Sequence, residues 1–487
     1  MLKLLRNFAE WICLVIIVIK MKKWIVLHII LFVVSFPLFV NGQRNFENNL
    51  NFYTDSIGDV YLDMPLVDLP SQIYSYNTTG GFFKSYMNPG METSLAYSMD
   101  FYTAVHFGFK NIRIKKSKGA QIFLQRLFIS GFDVLTQWLP LGIPWLHEEY
   151  HRAVMTQYGI NSFNEILTFP LGKASIAVNH VKDEDLERLC DYHHADFVRL
   201  MSAGHEAEVQ AVRNLQSNEF FYHQNLDNEV LYIMYSIQNI LYINSCARGM
   251  GDKGTRERNL VENTIESRDF TGMDMNAWID ALCFPDKPYA ARGIHPSGIG
   301  YDRYIMYDEI SEEGRKYLRR QVGLDVFNFM SPMMIGFSRI SLANTDEGAY
   351  YGNFAFRHYL TSFGDDVSLD LYLQAPKFNL YATLHSYNNL HHHFAGIEAG
   401  LIDFPLLKNR MQIGGTVMFW VQPKDMSFYT AKGTAGGLIK ARVAYHSKFF
   451  DPYLELGWKS KGWVAGNVCL NSSFFMKAGI RWQICRR

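Results

Sequence analysis

Val367-Ser368-Leu369-Asp370-Leu371-Tyr372-Leu373-Gln374 places an aliphatic residue at every odd position and a more polar one between each pair. A β-strand sends successive side chains to opposite faces, so this spacing makes one apolar face and one polar face. Ala375-Pro376 then turns the chain, and Phe378, Leu380, Ala382 and Leu384 alternate with Asn379, Tyr381, Thr383 and His385. The same period recurs downstream, in Met411 to Val421, in Ile439 to Tyr445 and in Phe474 to Trp482. Nine strands follow from it: 333–343, 349–361, 366–374, 377–387, 393–403, 410–421, 434–446, 450–459 and 473–484. Several exceed the usual length of about five or six residues. They suit tilted strands of about 9–11 residues that alternate lipid-facing and lumen-facing side chains.

Nine is an odd number, and bacterial single-chain barrels use even ones. Leu95, Tyr97, Met99, Phe101, Thr103, Val105, Phe107 and Phe109 supply a further alternation upstream. The expected fold class is therefore α+β: a C-terminal antiparallel β-barrel of about ten strands with a mainly helical domain inserted after the first. Closure would remove the exposed edges of an open sheet. The expected organisation is a targeting segment over 1–42, an N-terminal extension over 43–90, a first barrel strand within 91–110, a helical insert over 111–330 and the barrel region over 331–487. Within the insert, helical texture covers Ala120 to Trp138, Asp183 to Gln216, Glu229 to Asn244, Met275 to Cys283 and Ser311 to Val322. A further helix begins near Trp145, with Pro144 just inside its start.

The chain has 487 residues, and its 47 basic residues balance 47 acidic ones. That balance argues against a nucleic-acid partner. Met21-Lys22-Lys23, the apolar run Trp24 to Val40 and the small residues before Gln43 read as an export signal. A start at Met21 in place of Met1 fits that pattern. The cysteines after the signal (Cys190, Cys246, Cys283, Cys469 and Cys485) are scattered and form no C-x-x-C, so neither a disulfide framework nor a cysteine metal site is expected. The expected location is the outer membrane of a Gram-negative bacterium, with the periplasm as the alternative. The expected partners are outer-membrane lipid and a peptide or protein substrate.

His147-Glu148-Glu149-Tyr150-His151 is an H-E-x-x-H. On a helix, residues four apart share a face, so both imidazoles reach one ion and Glu148 stands beside it to take a proton from water. A third ligand must come from elsewhere. The segment Gly204-His205-Glu206-Ala207-Glu208 offers Glu206 first and Glu208 second. Other candidates are weaker. His391-His392-His393 reads as a loop tip, His193-His194 as adjacent rather than spaced for one ion, and Tyr301, Tyr304, Tyr307 and His295 as possible oxyanion donors that nothing locates.

The motif with a downstream helical Glu resembles the gluzincin arm of the zincin metallopeptidases, over the helix around 145–157 and the segment 203–210. The resemblance implies Zn²⁺ held by His147, His151 and Glu206, with Glu148 activating a zinc-bound water for attack on a peptide carbonyl. The expected function is thus a zinc-dependent hydrolase, a metallopeptidase, associated with the outer membrane. The alternative is a non-catalytic barrel, for transport or structure, whose H-E-x-x-H is structural or vestigial.

Overall fold

The computed structural model describes residues 57–71, 90–113, 118–137, 142–166, 176–447 and 450–485. The expected targeting segment lies outside them. The described residues open with β1 (Val60–Leu69) and then run through helices α1 (Met91–Asn111), α2 (Lys118–Leu135) and α3 (Ile143–Gln157). A small hairpin, β2 (Phe163–Ile166) and β3 (Ile176–Asn179), precedes α4 (Asp183–Tyr192), α5 (His194–Tyr222), α6 (Glu229–Cys246), α7 (Asp252–Asn259), α8 (Asp274–Cys283) and α9 (Glu312–Leu324). Nine strands follow: β4 (Ile340–Thr345), β5 (Gly348–Thr361), β6 (Gly364–Gln374), β7 (Asn379–Asn388), β8 (His393–Leu406), β9 (Met411–Pro423), β10 (Gly433–Tyr445), β11 (Phe450–Lys459) and β12 (Ser473–Cys485).

The large sheet has ten strands in the order β1-β12-β11-β10-β9-β8-β7-β6-β5-β4, so β1 and β4 stand at its two margins. Every recorded pairing in it is antiparallel, between sequence neighbours except where β1 joins β12. The nine C-terminal strands fall where alternation puts them, except that 333–339 is a 3-10 turn and linker ahead of β4.

The first strand is a correction. Residues 91–110 are not a strand but nearly the whole of α1. Its buried positions include Met91, Leu95, Met99, Tyr102 and His106, a spacing of three and four that marks a helix face. The residues between the apolar odd positions are mostly small or aromatic rather than charged, so they set up no real polar face and the two periods coincide. The strand that pairs β12 is β1, inside the expected N-terminal extension. Pro65 sits beside a register shift there, and proline in a strand is tolerated only at margins and bulges.

The sheet is inverted relative to a soluble one. Along β11, Phe450, Pro452, Leu454, Leu456 and Trp458 are exposed, while Asp451, Tyr453, Glu455, Gly457 and Lys459 are buried. The polar face covers helix α5, whose Arg213 pairs with Glu398 at 3.2 Å and Asp370 at 3.4 Å, whose Gln216 accepts from Arg357 at 2.6 Å, and whose Tyr222 hydroxyl donates to Asp403 at 2.6 Å. Helix α1 joins the same face through Glu92, which lies 2.5 Å from Lys477 and 3.6 Å from Lys440. At 29 residues, α5 is about 43 Å long at ~1.5 Å per residue. It therefore serves two environments, with its C-terminal half against the sheet and its N-terminal half in the helical core against α3 and α8. The expected single helix from Asp183 to Gln216 breaks at His193, whose non-helical backbone separates α4 from α5. Among the described residues, no helix is long and apolar enough to cross a membrane.

Candidate metal centre

Helix α3 starts at an abrupt corner. Gly142 has a φ of 64°, and a Cβ there would lie 2.0 Å from the Tyr102 hydroxyl, so glycine is required. That hydroxyl accepts the Ile143 N–H at 3.3 Å, and Pro144 occupies the first turn, where its missing N–H costs nothing. One turn on, His147 and His151 share the helix face that packs on α5. A Cβ at Gly204 of α5 would come within 2.2 Å of His147 Nε2, so the absent side chain is what lets the imidazole lie against that helix.

The two imidazoles do converge, and the acid between them is Asp274, the first residue of α8. Its Oδ2 lies 3.2 Å from His147 Nε2 and 3.5 Å from His151 Nε2. The three residues could hold a metal ion. His151 is fully buried and Asp274 nearly so, while His147 and Glu148 are partly exposed. The outer ring nitrogens are committed: His151 Nδ1 donates to the Leu200 carbonyl at 2.6 Å, and His147 Nδ1 donates to Glu208 Oε1 at 3.0 Å. In neutral imidazoles both Nε2 atoms then carry lone pairs, and both face a carboxylate oxygen. His151 Nε2 is buried without a hydrogen-bond partner. Lone pairs facing a carboxylate in a buried site repel unless a cation stands among them. The donor set fits a metal ion on that ground.

With no cation at the centre, a proton on His147 supplies part of the positive charge that the two carboxylates call for. Burial opposes the charged form of Asp274, yet the imidazoles of His151 and His147 outweigh it and hold the carboxyl below its usual range. Burial likewise opposes the His147 imidazolium, but Asp274 and Glu208 raise its pKa well above the ordinary value. Burial pushes the Glu148 carboxyl well up, reinforced by Asp274 and Asp269 and opposed by His147.

Glu206 and Glu208 take other roles. Glu206 is not at the centre. Its carboxylate accepts from Arg199 Nη2 at 2.7 and 3.0 Å and from the Gly466 amide at 2.7 Å, on a different face of α5. Glu208 reaches the site one step removed, orienting His147 through Nδ1, as carboxylates behind metal-binding histidines do. Glu149 is spent on structure, accepting from Arg152 and Asn164 at 2.6 Å each. The tyrosines weighed as oxyanion donors are paired elsewhere: Tyr301 with Glu187, Tyr304 with Glu262 and Tyr307 with Arg319. His194 meets the Ala281 carbonyl, His295 meets Ser297, and His391 and His392 lie in the turn before β8.

Asp274 carries no local signal, since it is 127 positions from His147 and introduces an ordinary helix. Tyr242 positions it, its hydroxyl accepting the Asp274 amide at 3.0 Å while its ring stands 6.0 Å from that of His147.

A second group, His205, Asp325 and His358, also has the spacing for an ion. Its hydrogen bonds are already consistent without one. The Leu360 amide points at His205 Nδ1, which leaves Nε2 to donate to Asp325 Oδ1 at 3.0 Å. His358 lies 3.1 Å from the same oxygen and Asn328 donates to it at 2.7 Å. This is a buried tie between α5, the 3-10 turn after α9 and β5.

No protein-family model, curated protein or solved structure matches the chain.

Proposed function

We propose that the chain is a zinc-dependent hydrolase, most simply a metallopeptidase, carried on an outer-membrane β-barrel. One observation carries the reading: His147 Nε2, His151 Nε2 and Asp274 Oδ2 converge, with Glu148 beside them on the exposed side of α3. Two imidazoles and one carboxylate are donors that zinc accepts while keeping a position open. Bound zinc would act as a Lewis acid toward a carbonyl and lower the pKa of water. Glu208 and Leu200 hold the outer nitrogens so that both Nε2 lone pairs face inward. Glu148 takes the proton of the attacking water and passes it to the leaving amine. Burial, with Asp274 and Asp269 and against His147, raises its pKa, so the carboxyl holds a transferred proton more tightly than a free one does.

Elemental analysis and hydrolysis assays on purified variants test this. Asp274→Ala is expected to lose bound zinc and activity together. Glu148→Gln is expected to keep zinc near the wild-type ratio and lose at least about 10²-fold in rate, the low end for an acid–base group. Wild-type activity in Glu148→Gln would sink the assignment.

The membrane reading rests on the inverted sheet. Where β11 pairs with β12, Phe450 faces Trp482 near one end and Trp458 faces Phe474 near the other, all four exposed. Residues 450 to 458 span about 26 Å at ~3.3 Å per residue. Aromatic belts flanking an apolar band of about 25 Å are what a barrel presents to lipid. Closure would have to bring β1 and β4 together. At one end α5 already reaches both sides, since the Gly58 and Asp59 amides donate to the His223 and Tyr222 carbonyls and Gln374 of β6 donates to the Phe221 carbonyl.

A second reading has one observation in its favour. His151 and Asp274 are almost wholly buried, as in a metal cross-link between α3 and α8. Under it, Glu148→Gln would be as inert as the wild type while Asp274→Ala unfolds.

A further inference from the structure

The ten-stranded sheet has two unlike ends. At one, β4–β5 (346–347), β6–β7 (375–378), β8–β9 (407–410) and β10–β11 (446–449) are all joined by short turns. At the other, 362–363 and 389–392 are equally short, but β9–β10 (424–432) and β11–β12 (460–472) are long. The longest connection, 70–339, belongs to this second end. There β1 finishes, with Leu69 opposite Met476 just after the 460–472 loop, and there β4 starts, since it runs from Ile340 down to the 346–347 turn. The helical part is thus an insertion at the long-loop end.

Contacts fix it there. The Tyr429 hydroxyl in loop 424–432 donates to the Cys283 carbonyl of α8 at 3.0 Å. Arg199 of α5 donates to the Val464 carbonyl in loop 460–472 at 3.1 Å, and the Trp278 indole of α8 donates to the Thr361 carbonyl at the end of β5 at 2.9 Å. Helix α5 alone reaches from this end to the other, where the His223 carbonyl accepts the Gly58 amide just ahead of β1 and its ring meets Gln374, the last residue of β6, at 3.0 Å. From Tyr222 back to Gly204, against which His147 lies, α5 covers about 27 Å at ~1.5 Å per residue. That matches the apolar band of the sheet, about 26 Å deep along β11 at ~3.3 Å per residue. The centre therefore stands at the long-loop margin of the band, with α5 filling the depth between it and the short turns.

Outer-membrane barrels keep short turns on the periplasmic side and long loops outside. We propose that the centre works on the outer face of the membrane, and that its substrate is polypeptide outside the cell. This rests on both the barrel and the hydrolase readings and names the substrate that they leave open. Substrate reaches His147, His151 and Glu148 without crossing the bilayer.

The test uses the full chain with Cys485→Ser in the outer membrane of intact Gram-negative cells, where Cys190, Cys246, Cys283 and Cys469 are buried. Leu260→Cys at the end of α7 and Leu407→Cys in the β8–β9 turn, at positions exposed by 64 and 68%, are each treated with a maleimide on a polymer too large to cross the membrane. The expected result is labelling at 260 in intact cells, and at 407 only after the outer membrane is permeabilised. The reverse, both sites labelled in intact cells, or neither until permeabilisation, overturns the proposal. With the chain in the membrane fraction, reversed labelling removes the orientation and leaves the barrel reading intact, whereas a chain found with the soluble proteins defeats both. Intact cells are then given a fluorogenic casein. Cleavage by wild type and not by Glu148→Gln is expected, and cleavage that needs permeabilisation overturns the proposal. Labelling as expected, with casein uncut by wild type before and after permeabilisation, overturns the substrate and the hydrolase reading while the orientation holds.

Discussion

Gly204 and Glu206 stand two positions apart on α5 and do opposite things. Gly204 is an absence, giving His147 its place against the helix. Gly204→Ala is expected to drive the imidazole off Asp274, cost about 1–3 kcal/mol as an overpacked contact does, and reduce bound metal in elemental analysis. Glu206 is a buried charge whose task is Arg199, both side chains being fully buried. Glu206→Ala leaves that guanidinium uncompensated, so a loss of about 3–5 kcal/mol in denaturant unfolding is expected. Metal per folded molecule should not change, and a fall in it would return Glu206 to the centre. The H-E-x-x-H was legible because two ligands and a base on one helix turn leave a local pattern. Asp274 was not, because a ligand delivered by tertiary contact needs no neighbour of any particular kind.

Among the elements, α5 decides the most. It was legible as one long amphipathic run, but its division of labour was not, since both halves are buried and read alike. The tie from His205 through Asp325 to His358 fixes where the helix meets β5. Asp325→Leu removes the shared acceptor from two buried imidazoles, with an expected loss of about 3 kcal/mol. Hydrogen exchange should then open β5 and α5 together, whereas opening of β5 without α5 would deny the coupling. The exchange of α1 for β1 as the sheet's partner also belongs to this scale. Alternation over 95–109 satisfied a strand period and a helix period at once, and only long-range packing chose between them.

For the whole molecule, Glu92 adds a charged tie to the join between the helical part and the sheet. Burial disfavours its ionised form, but Lys440 and Lys477 overcome this and bring the carboxyl down to about 2 from an ordinary 4.5. A carboxyl depressed in the folded state contributes stability above its unfolded pKa and loses it as pH falls through the folded value. The contribution should be complete at neutral pH and disappear between about pH 4.5 and 2. Unfolding measured across that range should show wild type and Glu92→Gln converging as the pH drops. A constant gap between them would mean that Glu92 acts by shape rather than charge.

The sequence by itself determined the nine C-terminal strands and the pairing of two histidines on α3, because period and spacing are properties of neighbouring residues. The tertiary structure decided which acid completes the centre, which segment pairs with β12 and which face of the sheet is buried. Those outcomes depend on residues far apart in the chain meeting in space, where burial and charge pairing select among candidates that look equal along the chain.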